Sequence, residues 1–129
     1  PVFRVLNDKI YIDALGRKMP LSTKFSKSVP LILNNVDSLD LKILGEIGDY
    51  IEKNKFLNNH ISSLSFKNED LVFTLNDFSY SINMRGFKEY DSKFKNYESF
   101  FLKVYNSGLL DSLSSINLNF KNQVIIQRK

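Results

Sequence analysis

The segment SINLNFKNQVIIQRK, Ser115 to Lys129, alternates between two faces. Ile116, Leu118, Phe120, Val124 and Ile126 share one parity; Asn117, Asn119, Lys121, Gln123 and Gln127 share the other. Successive side chains of a strand point to opposite sides, so this pattern predicts a half-buried strand. Asn122 is the polar residue in the apolar row, which makes Lys121-Asn122 the place for a bulge, a bend or a tight turn. Unbroken, the strand would be roughly 40–45 Å long at about 3.3 Å per residue, more than twice a common strand length. The earlier elements are expected to form a sheet against which this ribbon docks. Its last half is expected to keep a bare edge. Ile125 is the one apolar residue on the polar side, and an apolar side chain there is exposed unless something covers it.

The 129 residues are 43% hydrophobic, with eleven Phe and six Tyr, which suffices for a compact domain with a real core. The net charge is +4 and the pI about 9.3, but Asp and Glu are mixed among the Lys along the chain. A nucleic-acid footprint needs basic residues gathered on one face. The cluster available is Lys121, Arg128 and Lys129, and basic residues on an edge strand also deter aggregation. No nucleic-acid partner is expected. Cysteine is absent, which excludes thiolate catalysis, zinc–thiolate sites and disulfides. No apolar run is long enough to span a bilayer, and no signal-peptide pattern opens the chain. The chain starts at Pro1 with a strand already under way. It is expected to be part of a longer protein whose targeting segment lies upstream.

From the start, Val2–Leu6 predicts a strand and Ile10-Tyr11-Ile12 another. Asp13-Ala14-Leu15-Gly16 is a tight turn, and Arg17–Leu21 is the return arm of a hairpin. Val29–Leu33 is extended, with Pro30 disfavouring a central strand position. Leu39, Ile43, Leu44, Ile47, Tyr50 and Ile51 trace one helical stripe, capped by Asp37 or Ser38 with Asp40 in the first turn. Gly45 and Gly48 lie inside it; each costs about 1 kcal/mol against Ala, so they serve close packing or mark a weak helix. Asn54–Asn59 ends the helix. Three alternating segments follow, at Ile61–Phe66, Leu71–Leu75 and Phe78–Met84, as an antiparallel meander. A second helix is predicted over about Lys88–Asn106, with Tyr90, Phe94, Tyr97, Phe101 and Val104 on its stripe and Gly108 after its end. The fold class is α+β: a mostly antiparallel mixed sheet, two main helices on one face, and a long C-terminal strand at or near an edge. One domain is expected over 1–129.

Catalytic chemistry finds no foothold. His60 is the only histidine, expected to cap a helix end or lie at the surface. Asp37, Asp40, Glu46, Asp49, Glu52, Glu69 and Asp70 each read as a cap, a solvated helix face or a turn. There is no phosphate loop and no nucleophile elbow. No enzyme activity, cofactor, metal or small-molecule substrate is expected.

Three motifs, in order, resemble the periplasmic β domain of the bacterial cell-division family FtsQ/DivIB. Tyr11-Ile12-Asp13-Ala14-Leu15-Gly16-Arg17 is similar to the family's hairpin, and Val29-Pro30-Leu31-Ile32 to the segment after it. Tyr80-Ser81-Ile82-Asn83-Met84 is similar to the strand before its second helix, with Lys93 one turn inside that helix. Ile116-Asn117-Leu118-Asn119-Phe120 is similar to its (I/V)-D-L-R-(Y/F) strand. Asn117 and Asn119 replace the usual Asp and Arg, the glycine of Met84-Arg85-Gly86 comes two residues late, and Arg128 stands where some members carry an aromatic.

The resemblance implies a non-catalytic divisome scaffold domain acting in septum formation. It would lie in the periplasm, anchored in the inner membrane by a single upstream helix and preceded by a POTRA domain. It would bind FtsB, within the FtsB–FtsL pair, by strand addition to its last strand. The residues this implicates are Phe120 and Asn122, then Val124, Ile125, Ile126, Gln127 and Arg128. The alternative is another extracytoplasmic envelope module that binds protein and is likewise not an enzyme.

Overall fold

A computed structural model describes residues 1–6, 9–20, 28–36, 40–119 and 123–129. Their contacts divide the chain into two compact units, Pro1–Ser65 and Phe66–Lys129. Both mix strands with a long helix, so the class is α+β, with parallel and antiparallel pairings.

In the first unit, β1 (Phe3–Val5) pairs antiparallel with β2 (Ile10–Ile12), and β2 with β3 (Lys18–Pro20). On its other side β1 pairs parallel with β4 (Leu31–Ile32), which pairs parallel with the start of β5 (Ile61–Lys67). The order is β3-β2-β1-β4-β5, which leaves β3 at the end of the row.

Helix α1 (Leu41–Lys53) explains its two glycines. A Cβ on Gly48 would meet Val2 Cγ2 at 2.5 Å and Phe3 Cε2 at 2.8 Å, so the helix lies directly on β1. A Cβ on Gly45 would meet Gly16 N at 2.5 Å and Asp13 O at 2.7 Å. The hairpin turn is itself tied: Asp13 Oδ1 accepts the amides of Leu15 at 2.9 Å and Arg17 at 2.8 Å, and Oδ2 accepts Arg17 Nε at 2.6 Å. Gly16 completes it at φ 82°, a conformation that glycine adopts without a Cβ penalty. The Gly45 and Gly48 positions thus trade helix propensity for close approach.

The N-cap of α1 is Asp40, whose Oδ1 accepts the amides of Lys42 and Ile43 at 3.1 and 3.3 Å. Asp37, Ser38 and Leu39 lie outside the described residues. The chain does not unwind after Lys53. Asn54 closes α1 and caps α2 (Lys55–His60), its Oδ1 accepting the amide of Leu57 at 3.0 Å. His60 ends α2 and is buried, with Phe56 stacked on it at 4.7 Å, so the surface alternative fails and the helix-end position holds.

The second unit contains β6 (Asp70–Leu75), β7 (Ser81–Arg85), β8 (Leu113–Asn117) and β9 (Ile125–Arg128), in that order. β6–β7 and β8–β9 are antiparallel and β7–β8 is parallel. Helix α3 (Tyr90–Val104) and a 3-10 turn at Leu109–Ser112 make the crossover that the parallel pair requires. One face is core: Leu71, Phe73, Ile82, Met84, Leu113, Ile116 and Leu118 are buried. Phe94 of α3 meets Phe73 edge-on at 5.3 Å, and the hydroxyls of Tyr80 and Tyr97 hydrogen-bond at 2.6 Å. Burial pushes both phenol pKa values up. Full burial of a phenylalanine contributes about 1.5–3 kcal/mol, and these rings form the unit's centre.

The opposite face is polar in rows set by register. Val72, Asn83, Asn117 and Ile125 stand side by side, and Ser81, Ser115 and Gln127 form the next row. Asn119 and Asn117 bind main chain here: Arg85 N donates to Asn119 Oδ1 at 2.5 Å, and Asn119 N to Asn117 Oδ1 at 2.8 Å. The carboxamides secure the end of β8, where the family pattern has charges.

Candidate protein-binding edge

The ribbon predicted from Ser115 to Lys129 is two strands. β8 runs out to Asn117, and β9 returns antiparallel from Ile125, with Ile116 opposite Ile126. Phe120–Asn122, between the two strands in sequence, lie outside the described residues. The implicated residues Phe120 and Asn122 therefore have no described place, whereas Val124, Ile125, Ile126, Gln127 and Arg128 do.

β9 is the terminal strand of its row, so the edge position expected of the C-terminus is found. Which of its main-chain groups turn outward follows from two hydrogen bonds. Lys129 N donates to Ser112 O at 2.9 Å, so residue 129 faces β8. Leu118 N donates to Asn83 O at 2.8 Å, so residues 118 and 116 face β7 and residue 117 faces β9. Antiparallel ladders alternate between hydrogen-bonded and non-bonded pairs. Asn117–Ile125 is therefore a bonded pair and Ile116–Ile126 is not. The N–H groups of Ile126 and Arg128 and the C=O of Ile126 point away from β8, while the N–H and C=O of Ile125 and Gln127 are engaged with it; the Arg128 C=O accepts from Ser114 Oγ at 3.5 Å.

The register contains a bulge: Leu113 faces Arg128, but Ser115 faces Gln127, which leaves Ser114 as the extra residue. Its Oγ donates to Gln127 O at 3.1 Å. Ser115 Oγ also reaches Gln127 Oε1 at 3.3 Å. The bulge thus holds the C-terminal half of β9 by side-chain bonds as well as by the ladder. Nothing in the alternation of the sequence signals it, because an inserted serine between Leu113 and Ile116 reads as an ordinary break in pattern.

Ile125 is 43% exposed on the polar face, as its parity predicts. Ile126 is half-buried on the core face, and Gln127 and Arg128 are exposed. Ile116 and Leu118 are fully buried core.

Among the described residues no group of three or more His, Cys, Asp or Glu is arranged to hold a metal ion. Asp13 is held below the ordinary carboxylate range: burial acts to raise it, but the hydrogen bonds and charge of Arg17, with the Leu15 amide, outweigh that. This is a turn lock. Lys93 in the first turns of α3 is buried beside Phe94. No helix among the described residues is long and apolar enough to cross a membrane.

These features define an α+β fold in which β9 is a terminal strand among the described residues. The FtsQ/DivIB C-terminal related family matches residues 1–126, and the chain belongs to that family of cell-division proteins. A comparison with curated proteins gave no match.

Proposed function

We propose that residues 1–129 are a single scaffold domain of the bacterial divisome, without catalytic activity, that binds FtsB within the FtsB–FtsL pair by strand addition to β9. The observation that carries the reading is the outward direction of the Ile126 and Arg128 amides and the Ile126 carbonyl on a terminal strand. Strand addition draws affinity from main-chain hydrogen bonds and specificity from alternating side chains. Val124 and Ile126 would contact the partner on the core face, and Ile125 and Gln127 on the polar face. Family membership supports the divisome role, a position in the periplasm and an anchor in the inner membrane upstream of Pro1.

The test removes the strand. Deleting Val124–Lys129 abolishes binding to FtsB while helix content by far-UV circular dichroism stays intact. Unchanged FtsB binding by the truncated domain contradicts the reading.

A further inference from the structure

We propose that a cavity on helix α2, in the first unit, is a binding site for a small planar ring that carries a carboxylate. The cavity has a volume of about 350 Å³ and is lined, among the described residues, by Lys55, Phe56, Asn59 and His60. Ligand pockets in proteins begin at about 300 Å³. At about 30 Å³ per water, this one has room for roughly a dozen waters, or for one ring with a short acidic arm.

The four residues stand in two columns, because residues four apart on a helix are neighbours. Phe56 and His60 form the aromatic column. Their rings are stacked, with centroids 4.7 Å apart and planes 25° from parallel. His60 is only 6% exposed, so its ring is fixed by packing and holds Phe56 in place. Lys55 and Asn59 form the polar column, and both are exposed. The Lys55 side chain makes no ion pair or hydrogen bond among the described residues. Lys53, two residues earlier, is different: its ammonium pairs with Asp49 at 2.9 Å. The cation left for a ligand at this place is Lys55.

The two columns together specify the ligand. A stacked ring pair offers flat apolar area to a third ring, and the ammonium beside it offers charge. A ring whose carboxylate is one or two bonds away meets both at once. Its ring packs on Phe56 and His60, and its carboxylate reaches Lys55 with Asn59 alongside. A carboxylate without a ring gains only an exposed ion pair, which is worth little. A cation of the same shape meets Lys55 as a like charge and is rejected.

His60 is the only histidine of the chain, so its imidazole proton signals are a unique reporter in the cavity wall. Titration of the whole domain with phenylacetate at constant pH is expected to move those signals saturably. The Kd should lie in the low-millimolar range, the reach of a ligand of about ten non-hydrogen atoms. Phenylacetamide, uncharged and of the same shape, is expected to bind on the order of fivefold more weakly, and benzylamine more weakly still. Acetate should leave the signals in place. Lys55→Gln, at an exposed position, is expected to equalise phenylacetate and phenylacetamide without changing the circular dichroism spectrum. Phe56→Leu should weaken both ligands alike. No saturable shift with phenylacetate, or a shift that acetate reproduces, overturns the site. Equal binding of phenylacetate and phenylacetamide to the unaltered domain overturns the role of Lys55 and with it the choice of a carboxylate. Neither result touches strand addition to β9, which lies in the second unit.

Discussion

The two terminal strands, β3 in the first unit and β9 in the second, are built by the same rules and end differently. Both are short, and both pair antiparallel with one neighbour in a hairpin. In β3 the bond from Asp13 N to Arg17 O at 3.0 Å fixes the alternation. Residue 17 faces β2, as does Met19, while Lys18 and Pro20 turn away. Pro20 has no N–H to offer, and Lys18 brings charge to the edge, so the strand is blunted in the ways natural edges commonly are. In β9 the outward positions are Ile126 and Arg128, and both keep their N–H. One edge has its template removed at an outward position. The other retains it and places an exposed isoleucine, Ile125, immediately before the first outward position. The difference comes from the chemistry of single outward positions rather than strand length or hydrophobicity.

The sharpest way to break the comparison is to make β9 resemble β3. Ile126→Pro removes an outward N–H without touching the β8 ladder, so the domain keeps its circular dichroism spectrum and loses about 1 kcal/mol or less of stability with the half-buried side chain. Affinity for FtsB is expected to fall on the order of a hundredfold, from a lost main-chain bond plus exclusion by the ring. Gln127→Pro, one residue on, removes a bond to β8 instead. It is expected to destabilise the domain by about 1 kcal/mol or more in urea unfolding.

A smaller effect sharpens the contrast within the first unit. β3 is held behind a turn against which α1 packs through Gly45. Helix propensity alone predicts that Gly45→Ala stabilises by about 1 kcal/mol. The Cβ would instead press on Asp13 O at 2.7 Å, and overpacking of this kind costs about 1–3 kcal/mol. Chemical denaturation is expected to show net destabilisation.

Ile125→Asn tests the side-chain contribution to the β9 edge. Its side chain is already half in water, so folding stability should move by less than about 0.5 kcal/mol, while FtsB affinity falls several-fold. The smallest effect is at the turn. The Asp13 pKa is depressed below 3.8, so its contribution is present above that value and is lost as pH falls through the lower, folded pKa. Asp13→Asn is expected to flatten the acid limb of stability below about pH 4 by up to about 1 kcal/mol, measured by urea unfolding across pH.

Much of this was legible in the residues. The hairpin at Asp13–Gly16, the α1 stripe, the meander segments and the crossover helix all lie where periodicity and turn chemistry put them. What could not be read has physical causes. Side-chain parity does not distinguish one long strand from a hairpin, because pairing Ile116 with Ile126 keeps both arms' apolar residues on the core face. Asn54 concealed α2, because one asparagine ends a helix and begins the next. Glu89 starts α3 from a left-handed conformation, φ 57°, with no side-chain cap, so no capping signal marks that boundary. Gly45 and Gly48 left two readings open until the residues they approach were known. The edge itself was anticipated from parity and position, but the outward set of amides depends on hydrogen-bond phase, which sequence does not encode.

Amide hydrogen exchange, residue by residue along β9, measures that phase directly. In the free domain Ile125 and Gln127 should be protected, and Ile126 and Arg128 should exchange near the rate of an open chain. Added FtsB should slow Ile126 and Arg128 by about a hundredfold or more while changing their neighbours little. Protection of Ile126 and Arg128 in the free domain, or indifference of both to FtsB, would contradict the account.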